Sequence, residues 1–257
     1  MHFHLPKPLH GWRSFIGEIS IIVLGVLIAL GAQQVVEGWN WTRKVAGAEN
    51  QLKRESRFNF LFAAEMVTVQ PCIDAQLDRL RQRLLDSGVT MTPAPLYKDD
   101  FQTFVYRQPS RPYVDEVWKS LADDGTAPHL DEWRHRHFAE MYSQLASLRE
   151  LDGLSSILGG QLMVLSESIP LDPGTRARLL ERIAEQRTRA KLQGVITAQV
   201  MASMRDLGQT PPRARVARYL AEESGTVKFC RSERLPLADW RKELAQEPVM
   251  TAEDDKV

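Results

Sequence analysis

FIGEISIIVLGVLIALGAQQVV, residues 15–36, is the stretch whose reading decides the fold. Its centre, Ile19 to Ala32, carries no charged residue. A helix on the surface of a soluble domain keeps a polar face. This stretch has none, so it belongs in a bilayer or is removed as a signal. Its 22 residues rise roughly 33 Å as a helix, close to a hydrocarbon core of about 30 Å. Trp12 precedes the stretch, and Trp39 and Trp41 follow it. Indole rings suit the membrane interface because they combine an apolar body with one N–H donor, so these three are read as interface anchors. The expectation is one transmembrane helix over 15–36, after a short tail of residues 1–14, with the lipid bilayer as the first partner.

Two other readings compete. A cleaved signal peptide would use Lys7 and Arg13 as its basic region and Ala29-Leu30-Gly31 as its small-residue site. Glu18 inside the apolar region and the apolar length both speak for an anchor instead. A buried helix of a soluble core is the third reading.

The remaining chain reads as all-α. Residues 37–247 are expected to form a bundle of long antiparallel helices continuing from the anchor, and residues 248–257 a disordered tail. Val45, Ala48, Leu52, Glu55, Phe58, Phe62, Met66 and Val69 recur at steps of three and four, with one polar interruption. Pro71 should end or kink that helix, and Ile73, Leu77, Leu80 and Leu84 begin another. Residues 89–112 are broken by Pro93, Pro95, Pro109 and Pro112 and read as a packed connection with a short helix around 98–106. Thr126 is expected to cap the helix that carries Leu130 to Leu148, and Asp172-Pro173 to start a long one ending at Gly208. Pro211-Pro212 opens a further helix, Thr226 to Cys230 reads as extended, and Pro236 to Gln246 as a last short helix.

The anchor reads GEISIIVLGVLIALGAQQVVEGW from Gly17 to Trp39, with Trp118-Lys119-Ser120-Leu121, Gly125, Leu130 and Tyr142 further on. This pattern resembles a bacterial family of uncharacterised single-pass membrane proteins with a GEI-x(2)-IV-x-GVLIAL-type anchor followed by a helical domain. The likeness covers about the first 150 residues. It implies an inner-membrane anchor and a helical domain, and it implies no activity.

Lys plus Arg number 33 and Asp plus Glu 33, so no basic field exists to hold nucleic acid. Lys7 and Arg13 lie before the span, and Arg43, Lys44, Lys53, Arg54 and Arg57 after it. That count points the C-terminal domain to the cytoplasm, but a domain of this size translocates largely regardless of such charges. The chain has 2 cysteines, Cys72 and Cys230, with no spacing suited to zinc. They are read either as two buried thiols or as a disulfide. The disulfide is the preferred reading, and it places the domain on the oxidising, periplasmic side.

At 100° per residue, Glu18 shares a helical face with Gly25, Ala29 and Ala32, opposite Leu27. Small residues let helices approach closely, so this is a candidate pairing face for a second copy or another membrane protein. The competing reading has Glu18 simply reaching the headgroups. His129, His135, His137 and Glu140 do not share one helical face, and no metal site is expected. Ser155 and Ser156 complete no nucleophile motif, and Gly159-Gly160 lies in a leucine-rich helix. The run Arg176, Arg178, Arg182, Arg187 and Arg189 reads as a solvated face with local ion pairs. No catalytic residue and no cofactor are assigned. The expected role is a membrane-anchored scaffold or accessory module that binds protein. A periplasmic ligand-sensing bundle is the alternative, and an enzyme of unrecognised type comes third. A sensor needs convergent polar groups around a pocket, and a scaffold needs an exposed apolar patch.

Overall fold

The computed structural model describes residues 12–98 and 103–242. The expected tail 248–257 lies outside them. The chain divides into two compact units, Met1–Glu49 and Asn50–Val257.

Apolar periodicity without a polar face makes the first unit. Its described residues belong to the opening part of helix α1 (Trp12–Asp86). Residues 15–40 are all exposed. The most apolar window has a mean hydropathy of 2.4 and none of it is buried, so this helix is long and apolar enough to cross a membrane. Residues 1–11 of the expected tail lie outside the described residues, and the described part of α1 begins at Trp12.

Among the described residues the second unit is all-α apart from one pair of two-residue strands. Its central helix is α1 beyond Asn50, where residues 59–69 are buried all round. Around it lie α2 (Glu116–Asp123), α3 (Glu132–Gln161), α4 (Pro173–Asp206), α5 (Arg213–Arg218) and α6 (Gly225–Ser232). Leu52, Phe60, Ile73, Leu77 and Leu84 of α1 meet a core completed by Phe138, Met141, Leu145 and Leu148 of α3 and by Ile183, Val200 and Met204 of α4. A 3₁₀ turn, Leu162–Ser166, and a short extended stretch return the chain from α3 into the antiparallel α4.

Several local expectations are corrected. α1 passes through Pro71 without a break. Proline removes one helical N–H and crowds the preceding turn. The neighbouring polar groups find partners outside the helix: the Thr68 carbonyl accepts from the Ala238 N–H at 2.8 Å, and Gln70 Nε2 donates to the Ala190 carbonyl at 2.7 Å. Of the helix expected around 98–106, residues 99–102 lie outside the described residues, and on either side of them Tyr97–Lys98 (β1) pairs antiparallel with Thr103–Phe104 (β2). Thr126 precedes only a 3₁₀ turn, Ala127–His129, and Asp131 caps α3 by accepting from the Arg134 N–H. Thr226 to Cys230 is helical, because the Ser224 hydroxyl caps α6 by accepting from the Val227 N–H. The start at Asp172-Pro173 stands: the Asp172 carboxylate accepts from the N–H groups of Gly174 and Thr175. Gly208 ends α4 with φ +69°, a conformation that favours glycine. Residues 240–242 are helical where the described chain ends.

Candidate functional site

The site is built on an unusual partnership between α1 and the proline-rich connection. Gln76 exchanges two hydrogen bonds with the backbone of Arg107, at 2.9 and 2.8 Å. Arg111 meets Glu65, Asn59 exchanges two bonds with Val114 at 2.7 and 2.9 Å, and Glu55 accepts from the Val117 N–H at 2.8 Å. The partners run in opposite directions. From residue 76 to 59, α1 covers roughly 26 Å. From 107 to 114, an extended chain covers roughly 23–25 Å. The match requires the connection to be almost fully extended. Pro109 and Pro112 enforce this, since the residue before a proline avoids the helical region.

Two buried carboxylates anchor this strap. Glu65 is completely buried and accepts from Arg111 Nε at 2.6 Å, Arg111 Nη2 at 2.9 Å, the Tyr219 hydroxyl at 2.9 Å and Ser224 Oγ at 2.6 Å. Glu55 also accepts from the Tyr142 hydroxyl at 2.7 Å, and Trp118 stacks on the Tyr142 ring at 5.5 Å. Burial, and next the adjacent carboxylate, push both phenols well above the ordinary tyrosine range, so they stay donors. Cys72 of α1 and Cys230 of α6 form a disulfide, with both residues completely buried. The strap and the last helices are therefore fastened to one central helix.

Beyond Gln76, α1 turns a polar face to a cleft of about 570 Å³, within the range of small-molecule sites. Gln76, Arg79, Leu80, Arg83 and Asp86 recur at three- and four-residue steps on that wall. Thr92, Pro95, Tyr97 and Val105 form the other side. Arg83 is half-buried and uses Nη1 to hold the Pro93 carbonyl at 3.1 Å. Arg79 is exposed. The acids described nearby are engaged: Asp86 accepts from Gln82 at 2.9 Å, and Glu233 from the Tyr97 hydroxyl at 3.2 Å. Burial, then Glu233, raises the Tyr97 pKa, while Arg79 and Arg83 act on the same phenol in the opposite sense. The Tyr97 ring is fixed by Phe104 at 6.0 Å and Phe229 at 5.0 Å.

The other residues singled out from sequence fall elsewhere. Glu18, Gly25, Ala29 and Ala32 lie on the exposed apolar part of α1, and a Cβ at Gly25 would meet nothing within 4 Å. Trp12 and Trp39 are exposed and Trp41 is half-buried. Arg43 lies over the Trp39 ring at 4.2 Å and Lys44 over Trp41 at 4.9 Å. His135 packs toward Trp118, and His137 Nδ1 is 2.7 Å from the Trp133 carbonyl oxygen. Among the described residues no group of three or more His, Cys, Asp or Glu could hold a metal ion. Ser155 is buried and donates to Gln193 at 3.4 Å.

The arginine run of α4 is more than a solvated face. Arg176 donates to the carbonyls of Leu84, Ser87 and Gly88 and so caps the C-terminus of α1. Arg187 pairs with Asp74 at 2.6 Å and Asp78 at 3.5 Å, whereas Arg189–Glu185 is local. Sequence spacing missed Arg79 and Arg83 because they look like ordinary exposed cations of a helix. Their signal was the polar run before each of Leu80 and Leu84, which has no meaning until the strap is in place.

Comparison of the chain with protein-family models, curated proteins and solved structures finds no match.

Proposed function

We propose that this protein is a bacterial inner-membrane module, anchored once by residues 15–36, whose helical domain binds a ligand on the periplasmic side. The observation that carries the reading is the cleft along α1, where Gln76, Arg79, Arg83 and Tyr97 converge over an apolar floor. The apolar, unburied start of α1 supports the anchor. A disulfide at Cys72–Cys230 supports an oxidising compartment. The resemblance to uncharacterised single-pass bacterial proteins agrees with the anchor. The exposed face containing Glu18, Gly25, Ala29 and Ala32 supports pairing with a second copy or another membrane protein.

A second reading, a protein-docking scaffold, draws on one feature. Leu192 and Val195 are exposed on α4, and Val195 borders an apolar groove with Val67, Pro71, Gly194, Ala198 and Ala238.

The test is a thermal-shift screen of the detergent-solubilised full chain against small molecules, with Thr92→Trp as the blocked control. Thr92 is exposed at the cleft, so the indole fills the space without entering the core. Ligands that stabilise wild type and not Thr92→Trp support the reading. Equal stabilisation of both by every hit, or no hit at all, refutes it. A C-terminal alkaline phosphatase fusion tests the orientation: activity is expected, and an inactive, stably expressed fusion overturns the periplasmic assignment.

A further inference from the structure

We infer that the cleft takes an organic anion, a carboxylate or sulfonate carried on an apolar body; this rests on the ligand-binding reading above and names its chemistry. Arg79 and Arg83 stand one turn apart on a single helix, where like charges repel. The carbonyl of Pro93 engages one nitrogen of Arg83 and carries no compensating charge. Asp86 and Glu233, the acids described beside them, accept from the neutral Gln82 and Tyr97, and among the described residues neither forms an ion pair with Arg79 or Arg83. An anion lying between the two guanidinium groups relieves the repulsion and gains charge-assisted hydrogen bonds. Behind the cations the floor is apolar, formed by Leu80, Pro95 and Val105. Burial of apolar ligand surface there adds the rest of the affinity. A bare inorganic anion would leave that floor wet and gain nothing from it.

The two halves of the argument set the probe. Titration calorimetry of 2-naphthoate into the full chain in non-ionic detergent, corrected with protein-free micelles, should show saturable binding. Octanoate, an acyl body with the same head, should compete. The neutral isostere 2-naphthylmethanol should bind at least tenfold more weakly. Arg79→Gln and Arg83→Gln should each weaken 2-naphthoate about tenfold, the effect of one charge-assisted contact. Lys191→Gln, at the apolar groove on the other side of α4's contact with Gln70, should leave binding unchanged. Thr92→Trp should abolish it. Equal binding of 2-naphthoate and 2-naphthylmethanol, lost together in Thr92→Trp, overturns the anionic class while ligand binding at the cleft survives. Binding of either compound that persists in Thr92→Trp overturns both readings. Loss in Lys191→Gln alone moves the site to the groove and overturns this inference.

Discussion

Removing the Cys72–Cys230 crosslink should cost the bundle several degrees of thermal stability, and the size of the loss can be worked from chain topology. The bridge spans a sequence separation of 158 residues. Closing a loop of that length in the unfolded chain removes about 17 cal/mol/K of entropy, or about 5 kcal/mol at 25 °C. Measured losses for native disulfides in small secreted domains run about 2–5 kcal/mol. A unit of about 200 residues unfolds with an entropy of about 0.4 kcal/mol/K, so the melting temperature should fall by about 5–12 °C. Both cysteines are completely buried, so reductant reaches the bond only through unfolding. The comparison is therefore between oxidised protein, protein reduced while denatured and then refolded, and the Cys72→Ala/Cys230→Ala variant. The variant also loses two buried sulfurs, about 1 kcal/mol each as a methylene-sized group, so it should melt slightly below reduced wild type. Near-UV circular dichroism in non-ionic detergent follows the transition. A reduced protein melting within 2 °C of the oxidised one would refute the argument that this long loop restrains the unfolded chain.

Glu65→Gln keeps the shape of the buried carboxylate but leaves Arg111 without its counter-charge. The urea midpoint should fall by an amount equivalent to about 2–4 kcal/mol, and a change under 0.5 kcal/mol would show that the four donors are not a stabilising set. Burial alone would raise the Asp115 pKa, but its bonds to Arg149 and Lys119 hold it below the usual carboxylate range. A depressed folded value gives stability that is complete above the unfolded value of about 3.9 and is lost as pH falls through the folded one. Arg149→Gln should therefore be less stable than wild type by about 1–2 kcal/mol at pH 6, with the gap closing below pH 4; a gap independent of pH contradicts this. In the anchor, Gly25→Ile should disrupt self-association in a membrane two-hybrid assay and Leu27→Ile should not, because added bulk blocks close backbone contact on the small-residue face. Identical signals from both variants and wild type would leave a monomeric anchor. Carbonate washing should leave the chain in the membrane pellet, and recovery in the supernatant with an N-terminus near Ala32 would favour a removed signal.

Reading residues in order was sufficient wherever a short-range rule decides. The uncharged run from Ile19 to Ala32, the three- and four-residue stripes of α3 and α4, the Asp172-Pro173 start and the Gly208 stop all follow from chemistry within one or two turns. The same short range misread Pro71, the strand pair of Tyr97–Lys98 with Thr103–Phe104, and α6. Beside Pro71, Gln70 and Thr68 bond to Ala190 and Ala238, 120 or more residues away from them. α6 depends on Ser224, whose hydroxyl is placed by Glu65 of the central helix.

The candidate site was legible only in part. The four prolines announce a packed connection, but not that it runs extended along α1, held by Gln76, Glu65, Asn59 and Glu55. Arg79 and Arg83 look alike in sequence to any cations on a wet helix face, and the Arg176 and Arg187 side chains looked local until α4 lay against α1. Sequence by itself determined the apolar helix, the helical class and the pairable cysteines, because hydrophobic periodicity and backbone propensity act between neighbours. Tertiary structure alone decided which polar side chains are buried and satisfied and which are left facing a cleft. Burial and hydrogen-bond satisfaction belong to segments far apart in the chain, and they exist only once those segments meet.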